Sequence, residues 1–154
     1  MLTVYKREQI TLISRRLNTT ETMIKSVLDE YQEYILGKLN RGESVKFLRI
    51  CWMRNSDNTE ENYDTLGYVA HEIGSKLGLS KDTVLRILQT FEELITDEVR
   101  KFYVFVIRGV CKIWLCEYRE GNYKLRLSKS TSLPHNISAR AISSFKRRVE
   151  FCDR

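Results

Sequence analysis

An internal repeat at an offset of sixty residues constrains the fold of this chain more than any other feature. The segment "ISRRLNTTETMIKSVL" at 13–28 matches "IGSKLGLSKDTVLRIL" at 73–88 in its apolar and hydroxyl positions. The same register continues without a gap as far as Cys51 and Cys111. Apolar matches between helices often arise by chance, but a gapless register that crosses a turn and enters a strand rarely does. We therefore interpret the chain as two copies of one structural unit.

Each copy predicts a short helix, a long helix and then a strand. The short helix ends near Leu17 or Leu77, and Thr20 or Ser80 then caps the second helix. The second helix carries a wide apolar stripe. In the first copy this stripe consists of Ile24, Val27, Leu28, Tyr31, Tyr34 and Ile35. The β-branched and aromatic residues that follow favour strands. One unit cannot bury its stripe alone, so two units are expected to pack against each other in an α+β fold.

The two copies diverge after Met53, and we divide the chain there. Residues 1–53 form the first half, the polar, turn-rich residues 54–66 form a linker, and residues 67–154 form the second half. The first half has no room for further elements before the second begins.

The second half predicts two additional elements beyond its strand. Two extended runs flank Gly121-Asn122, a dipeptide typical of two-residue hairpin turns, with Glu117 expected opposite Arg126. After Pro134, apolar residues recur every four positions and predict a basic C-terminal helix. These positions are Ile137, Ala141, Phe145 and Val149.

Positive charge is concentrated in the second half. The formal net charge is +6; residues 1–66 contain ten basic and ten acidic residues, whereas residues 67–154 contain sixteen and ten. Such a basic segment favours a polyanionic partner, most often nucleic acid. The predicted nucleic-acid-binding residues are Arg119, Lys124, Arg126, Lys129, Arg140, Lys146, Arg147 and Arg148. Tyr118 and Tyr123 near the hairpin tip either stack on exposed bases or support the hairpin by cross-strand packing.

Several segments resemble the HU/IHF family of bacterial histone-like, DNA-bending proteins. The stretch at 73–88 resembles the family's opening helix–turn–helix, and "LNRGESVKFLRICWM" at 39–53 is similar to its Gly-Glu turn and first strand. "RGVCKIW" at 108–114 occupies the place of its Gly-aromatic-Gly segment, and "LPHNISARAIS" at 133–143 is similar to the run entering its last helix. The resemblance implies two HU-like helix–turn–helix–strand units in one chain, forming a monomeric intramolecular pseudo-dimer. The second unit would carry a short β-hairpin and a C-terminal helix.

The long arms that HU/IHF proteins wrap around DNA are degenerate in this sequence. Family arms kink DNA by wedging an apolar residue, usually proline, between base steps. Here the hairpin at Gly121-Asn122 is short, and the chain's one proline, Pro134, is not at its tip. We therefore expect a nucleoid-associated protein that binds the DNA backbone without sequence specificity, through the basic hairpin and the C-terminal helix. The alternative is an HU-fold protein-interaction module, structural, inhibitory or regulatory, that has lost DNA wrapping.

An enzyme is not predicted, and neither is a cofactor. His71 lacks a nearby nucleophile in sequence, and His135 is expected to line a turn or contact phosphate. The acidic pairs at 92–93 and 97–98 are expected on the exposed side of a helix. The seven glycines form no phosphate-cradling loop.

The four cysteines indicate neither a metal site nor a disulfide framework. They have no zinc-ligand spacing and are expected to be small buried hydrophobes or incidental thiols. No apolar run approaches the ~18 residues of a membrane span, so no membrane partner is expected. The N-terminus becomes charged too early for a signal peptide, which predicts a cytoplasmic location.

Overall fold

The structure, a computed structural model, describes residues 2–58 and 63–152. It is an α+β fold. The helices are α1 (Lys6–Leu17), α2 (Glu21–Asn40), α3 (Leu66–Leu77), α4 (Lys81–Arg100) and α5 (Ser143–Val149). The strands are β1 (Thr3–Val4), β2 (Val45–Phe47), β3 (Cys51–Asn55), β4 (Val104–Ile107), β5 (Cys111–Arg119), β6 (Asn122–Lys129), β7 (Ile137–Ala141) and β8 (Phe151–Cys152).

The first four helices have boundaries that differ by sixty residues. Helices α1 and α3 each contain 12 residues, and α2 and α4 each contain 20. The Thr20 side chain accepts a hydrogen bond from the backbone N–H of Met23, and Ser80 accepts one from Thr83. These bonds satisfy backbone donors that the first helical turn cannot pair internally. The predicted helix ends and N-caps are therefore confirmed.

The strands form two sheets that exchange segments across the linker. One sheet has the order β1-β4-β5-β6-β8, and the other has the order β2-β3-β7. Strand β7 comes from the C-terminal part of the chain and pairs with β3, with Ala139 opposite Met53. Strand β1 pairs in parallel with β4. The division at 1–53, 54–66 and 67–154 stays a prediction, and linker residues 59–62 lie outside the described residues.

A single apolar core lies between the helices and both sheets. Phe91 of α4 connects the inner sides of the two sheets, because its ring lies 6.1 Å from Phe47 and 6.0 Å from Phe105. The ring of Tyr31 lies 5.4 Å from Phe47, and its hydroxyl accepts a hydrogen bond from the backbone N–H of Leu48 at 2.8 Å. Burial of that hydroxyl raises its pKa. Both sheets are thus anchored on the same helical layer.

The predicted C-terminal helix is shorter than expected. Residues 137–141 form strand β7, and the helix begins only at Ser143. A spacing of four residues is also a multiple of the strand period of two. Ile137 and Ala141 therefore share one face of a strand as readily as one face of a helix. Arg140 consequently belongs to a strand and not to the helix.

The hairpin between β5 and β6 also differs from the prediction. Its two turn residues are Glu120 and Gly121, since Asn122 already pairs with Arg119. Gly121 has a φ of 76°, which glycine adopts without steric cost. A register shift between Glu117 and Arg119 places Glu117 opposite Tyr123.

The predicted pairing of Glu117 with Arg126 is therefore wrong. Arg126 instead faces Trp114 across the ladder. A bulge inserts an extra residue on one strand and shifts every pair beyond it. The turn at Glu120-Gly121 already moves the pairing by two residues, which would place Glu117 opposite Lys124, and the bulge moves it by one more.

Candidate nucleic-acid interface

Side chains along the central strands alternate between the helices and the opposite side of the sheets. The helix-facing positions are buried, such as Met53 and Ile113, which have no exposed surface. We call the opposite side the outer face. It consists of Lys46, Trp52, Arg54, Lys112, Trp114, Cys116, Lys124, Arg126, Ser128, Ser138 and Arg140. The register places Trp52 between Lys46 and Arg140, and Trp114 opposite Arg126.

The outer face is rich in basic residues. Six of its residues are lysine or arginine, and none is acidic. Like charges on adjacent strands repel one another unless an anion neutralises them. Their summed potential attracts polyanions over distances set by the ionic strength.

The structure brings three of the sequence-predicted residues onto this face. Lys124, Arg126 and Arg140 are exposed there. Arg119 is exposed at the hairpin end of β5, with its guanidinium 5.7 Å from the ring centroid of Tyr118. The Lys124 ammonium lies 4.5 Å from the same ring, so the hairpin tip continues the basic surface.

Lys129 has a different environment from the one expected. Its ammonium donates hydrogen bonds to the backbone carbonyl oxygens of Pro134 at 3.4 Å and His135 at 3.3 Å, and also to that of Ile137. These bonds hold the connection between β6 and β7. Lys129 therefore stabilises the loop, with its donors directed at the backbone rather than outward.

The basic residues of α5 lie apart from the outer face. Phe145 and Val149 are buried and pack this helix against α4 and β6, on the helical side of the molecule. Lys146 and Arg147 are exposed there. Arg148 stacks its guanidinium 5.3 Å from the Phe145 ring centroid and donates a hydrogen bond to Glu92. The structure thus does not merge the hairpin and the last helix into one basic strip.

The expectation that the acidic pairs of α4 are exposed is wrong for one member of each pair. Glu92 and Glu98 are buried, whereas Glu93 and Asp97 are exposed. Consecutive helical residues point about 100° apart, so one of two neighbours can enter the core while the other stays in water. Asp97 forms an ion pair with Arg16 at 2.9 Å.

The buried Glu92 carboxylate anchors the turn between β2 and β3. It accepts hydrogen bonds from the backbone N–H of Arg49 at 2.8 Å, from Arg49 Nη2 at 2.9 Å and from Arg148 Nη1 at 3.3 Å. Its negative charge is therefore used internally and does not offset the cations of the outer face.

Sequence reasoning missed Lys46, Arg54 and Lys112. They were overlooked because positive charge was counted along the chain, and these three lie outside the basic segment 119–148. The signal that identifies them is the alternation of apolar and basic residues in each strand, as in "VKF" and "CKIWL".

Two cysteines are buried, as expected, at positions related by the repeat. Cys51 and Cys111 are both in the core. A hydrogen bond with Cys51, together with burial, raises the pKa of the Cys111 thiol. The side chain of Cys152 lies outside the described residues. Within residues 2–58 and 63–152, no group of three or more histidine, cysteine or acidic side chains could hold a metal ion.

No protein-family model and no curated protein matches this chain. In the part of the chain that the structure describes, none of the helices is both long and apolar enough to span a membrane. The functional assignment therefore depends on the fold and on the chemistry of the outer face.

Proposed function

We propose that this protein is an HU-like intramolecular pseudo-dimer that binds nucleic acid through its outer face, mainly by contacts to backbone phosphates. One observation carries the proposal: Lys46, Lys112, Lys124, Arg126 and Arg140 share a face with two tryptophans, and none of the described residues on that face is acidic. A phosphate backbone supplies the repeated negative charge that such a face lacks, and its counterions are released on binding.

Contacts between the two repeats support the pseudo-dimer. Glu92 of α4 binds the turn at Arg49 in the first half. Sixty residues earlier, Gln32 of α2 faces Gly109 in the second half, where any side chain would meet its Nε2 at 3.5 Å. Gln9 of α1 also donates to the carbonyl oxygen of Val106 at 2.6 Å. Each half therefore completes the other, as two subunits of an obligate dimer would.

The mode of binding follows from the short hairpin. Strands β5 and β6 contain 9 and 8 residues, and most of that length lies over the core. Without long arms the protein contacts the phosphates of one face of its ligand and does not wrap it. Phosphate contacts position a protein without reading sequence. We accordingly propose a non-catalytic, sequence-independent binding role in the cytoplasm.

Binding to a fluorescein-labelled DNA of generic sequence tests the proposal. Fluorescence anisotropy is measured from low to moderate salt on the wild type and on the double variant Lys124→Glu, Arg126→Glu. The wild-type affinity is expected to fall steeply with salt. The slope of log K against log salt should be no steeper than about −4.5 for duplex, if each of these five cations releases about 0.9 counterion. The double variant should bind at least 10-fold more weakly.

A matched control separates local from global charge effects. The variant Arg15→Glu, Arg86→Glu reverses two exposed cations of the helical layer. Both double variants lower the formal net charge from +6 to +2. The control is expected to keep most of the wild-type affinity. No binding at low salt, or equal losses in the two variants, would contradict the proposal.

A protein-interaction role is the second candidate, and an exposed aromatic cluster favours it. Phe102, Tyr123 and Phe151 are in mutual ring contact, and Phe102 and Phe151 are 37% and 39% exposed. Phe102 also has a φ of 66°, at the position where the first repeat has Gly42. Such a conformation costs a bulky residue about 1–3 kcal/mol, which function rather than folding would explain. A folded protein that binds no nucleic acid at low salt would support this candidate.

A further inference from the structure

We infer that the nucleic acid bound by the outer face is single-stranded or locally unpaired, and that Trp114 is the platform on which a base stacks. This inference rests on the proposed function and narrows its ligand class. It depends on the surroundings of one side chain, and on the contrast with the other tryptophan.

Trp114 lies in β5, the central strand of the five-stranded sheet. Its neighbours on either side along the strand, Ile113 and Leu115, are buried and already fill the core beneath. The Trp114 ring itself points away from the helices and is half-buried. Arg126 lies directly opposite it on β6, and Lys112 precedes it on the same face.

Trp52, in contrast, is covered by its own neighbours. The ammonium of Lys46 and the guanidinium of Arg54 lie 5.2 and 5.4 Å from its ring centroid. The ring of Tyr63 lies 4.7 Å away. Among the described residues, Trp114 has no such ring or cation partner. A base that stacks on the exposed part of this ring would therefore displace no aromatic or cationic partner.

At equivalent positions the two repeats carry a tryptophan and a cation in opposite order. Where the first repeat has Trp52 and Arg54, the second has Lys112 and Trp114. At these two positions each half thus places one tryptophan and one cation on the outer face, and among the described residues only the tryptophan of the second half lacks an aromatic or cationic partner. This difference makes the five-stranded sheet the side where a base would bind.

The chemistry of this region fits an unpaired strand better than a duplex. In a duplex the base faces are stacked on one another, and a flat protein surface reaches only phosphates and groove edges. An aromatic ring among cations binds an exposed base by stacking and its flanking phosphates by charge, whatever the base. Tyr118 lies four residues further along β5, about 13 Å away at the rise of a strand, with Lys124 above its ring. The Arg119 guanidinium also lies 5.7 Å from that ring, so the Tyr118 ring, like that of Trp52, already has cationic partners.

The test uses tryptophan emission as a local probe. The chain has two tryptophans, so Trp52→Phe leaves Trp114 as the only one. This variant is titrated at low salt with an oligothymidine of about 12 nucleotides and with a duplex of equal length. We expect oligothymidine to quench Trp114 emission on saturation. In the wild-type background, Trp114→Ala should weaken oligothymidine binding roughly 5- to 150-fold, the effect of one stacked base, and duplex binding less than 2-fold.

The outcomes distinguish this inference from the proposed function. If neither ligand binds at low salt, both fail. If the duplex binds at least as tightly as oligothymidine, or Trp114→Ala weakens both equally, the proposed function stands and this inference is overturned. Trp114→Phe, which keeps an aromatic ring, should retain most of the affinity. Should Trp114→Ala unfold, binding that saturates without quenching in Trp52→Phe would still overturn the inference.

Discussion

Removal of the Glu92 carboxylate tests whether α4 holds the β2–β3 turn of the other repeat. Glu92 is 3% exposed and accepts the backbone N–H of Arg49, whose side chain adds hydrogen bonds at 3.1 and 2.9 Å. Glu92→Ala leaves the backbone N–H without its acceptor and creates a small void in the core.

The expected loss of stability combines these contributions. An unsatisfied, partly buried backbone N–H costs about 1–3 kcal/mol. The ionic contribution adds at most about 1 kcal/mol, because the Arg49 side chain is 68% exposed and water screens the pair. We therefore expect Glu92→Ala to lower the free energy of unfolding by about 2–4 kcal/mol. For a chain of 154 residues this lowers Tm by roughly 5–15 °C.

Two variants serve as controls. Glu92→Gln keeps an oxygen that can accept from the Arg49 N–H and removes only the charge, so about 1 kcal/mol should be lost. Glu93→Ala truncates the exposed neighbour on the same helix and should change stability by less than about 0.5 kcal/mol.

Urea unfolding monitored by tryptophan fluorescence and by circular dichroism provides the measurement. Coincident transitions in the two signals justify a two-state treatment. Equal stability losses in Glu92→Ala and Glu93→Ala would refute the assigned role of Glu92, as would a Glu92→Gln variant no more stable than Glu92→Ala.

Three further perturbations have expected outcomes. Burial alone would raise the pKa of Asp64, but the hydrogen bond from Lys38 helps to lower that pKa overall. The ionised Asp64 therefore stabilises the fold above about pH 4, and this contribution is lost as the pH falls through the folded-state pKa. The urea midpoint of the Asp64→Asn variant should accordingly depend less on pH below 4 than that of the wild type. Gly74→Ala should cost about 2 kcal/mol in thermal unfolding, because its Cβ would lie 2.5 Å from the Leu79 carbonyl oxygen; a loss below 0.5 kcal/mol would contradict this. Lys129→Met should lower the free energy of unfolding by about 1–3 kcal/mol, and Tm with it, because its hydrogen bonds to the loop carbonyls are lost. The salt dependence of nucleic-acid binding should stay the same. A shallower slope of log K against log salt would instead show that Lys129 contacts phosphate.

The helical part of the fold could be predicted because its signals are local. Thr20 and Ser80 lie at the starts of their helices, and their caps depend on atoms three residues away. The apolar stripe of each long helix likewise follows from the spacing of apolar residues within that helix alone. Because each of these elements occurs in both copies of the repeat, two separate segments of the sequence support its prediction.

The exchange of strands could not be predicted, because it depends on distant partners. Residues 137–141 pair with 51–55, and no feature of "ISARA" specifies that partner. Its apolar spacing is compatible with both a strand and a helix. The sequence therefore predicts these residues as part of the C-terminal helix.

The proposed binding surface could be predicted only in part, for the same reason. Lys124 and Arg126 were found because they stand in a basic segment, whereas Lys46 and Lys112 join them only when the two sheets lie on one helical layer. Lys129 is basic in the same segment, but three carbonyl oxygens already bind it. Charge counted along the chain therefore does not identify which basic side chains lie together on the surface.

A chemical-shift map tests most directly whether the outer face binds nucleic acid. Two-dimensional ¹H–¹⁵N spectra are recorded while unlabelled oligothymidine is added to ¹⁵N-labelled protein at low salt. The largest changes are expected at the amides of β3, β5, β6 and β7, including the indole N–H of Trp114. Changes confined to α5 or to the surfaces of α1–α4, with the outer face unaffected, would contradict the assignment of this face as the binding site.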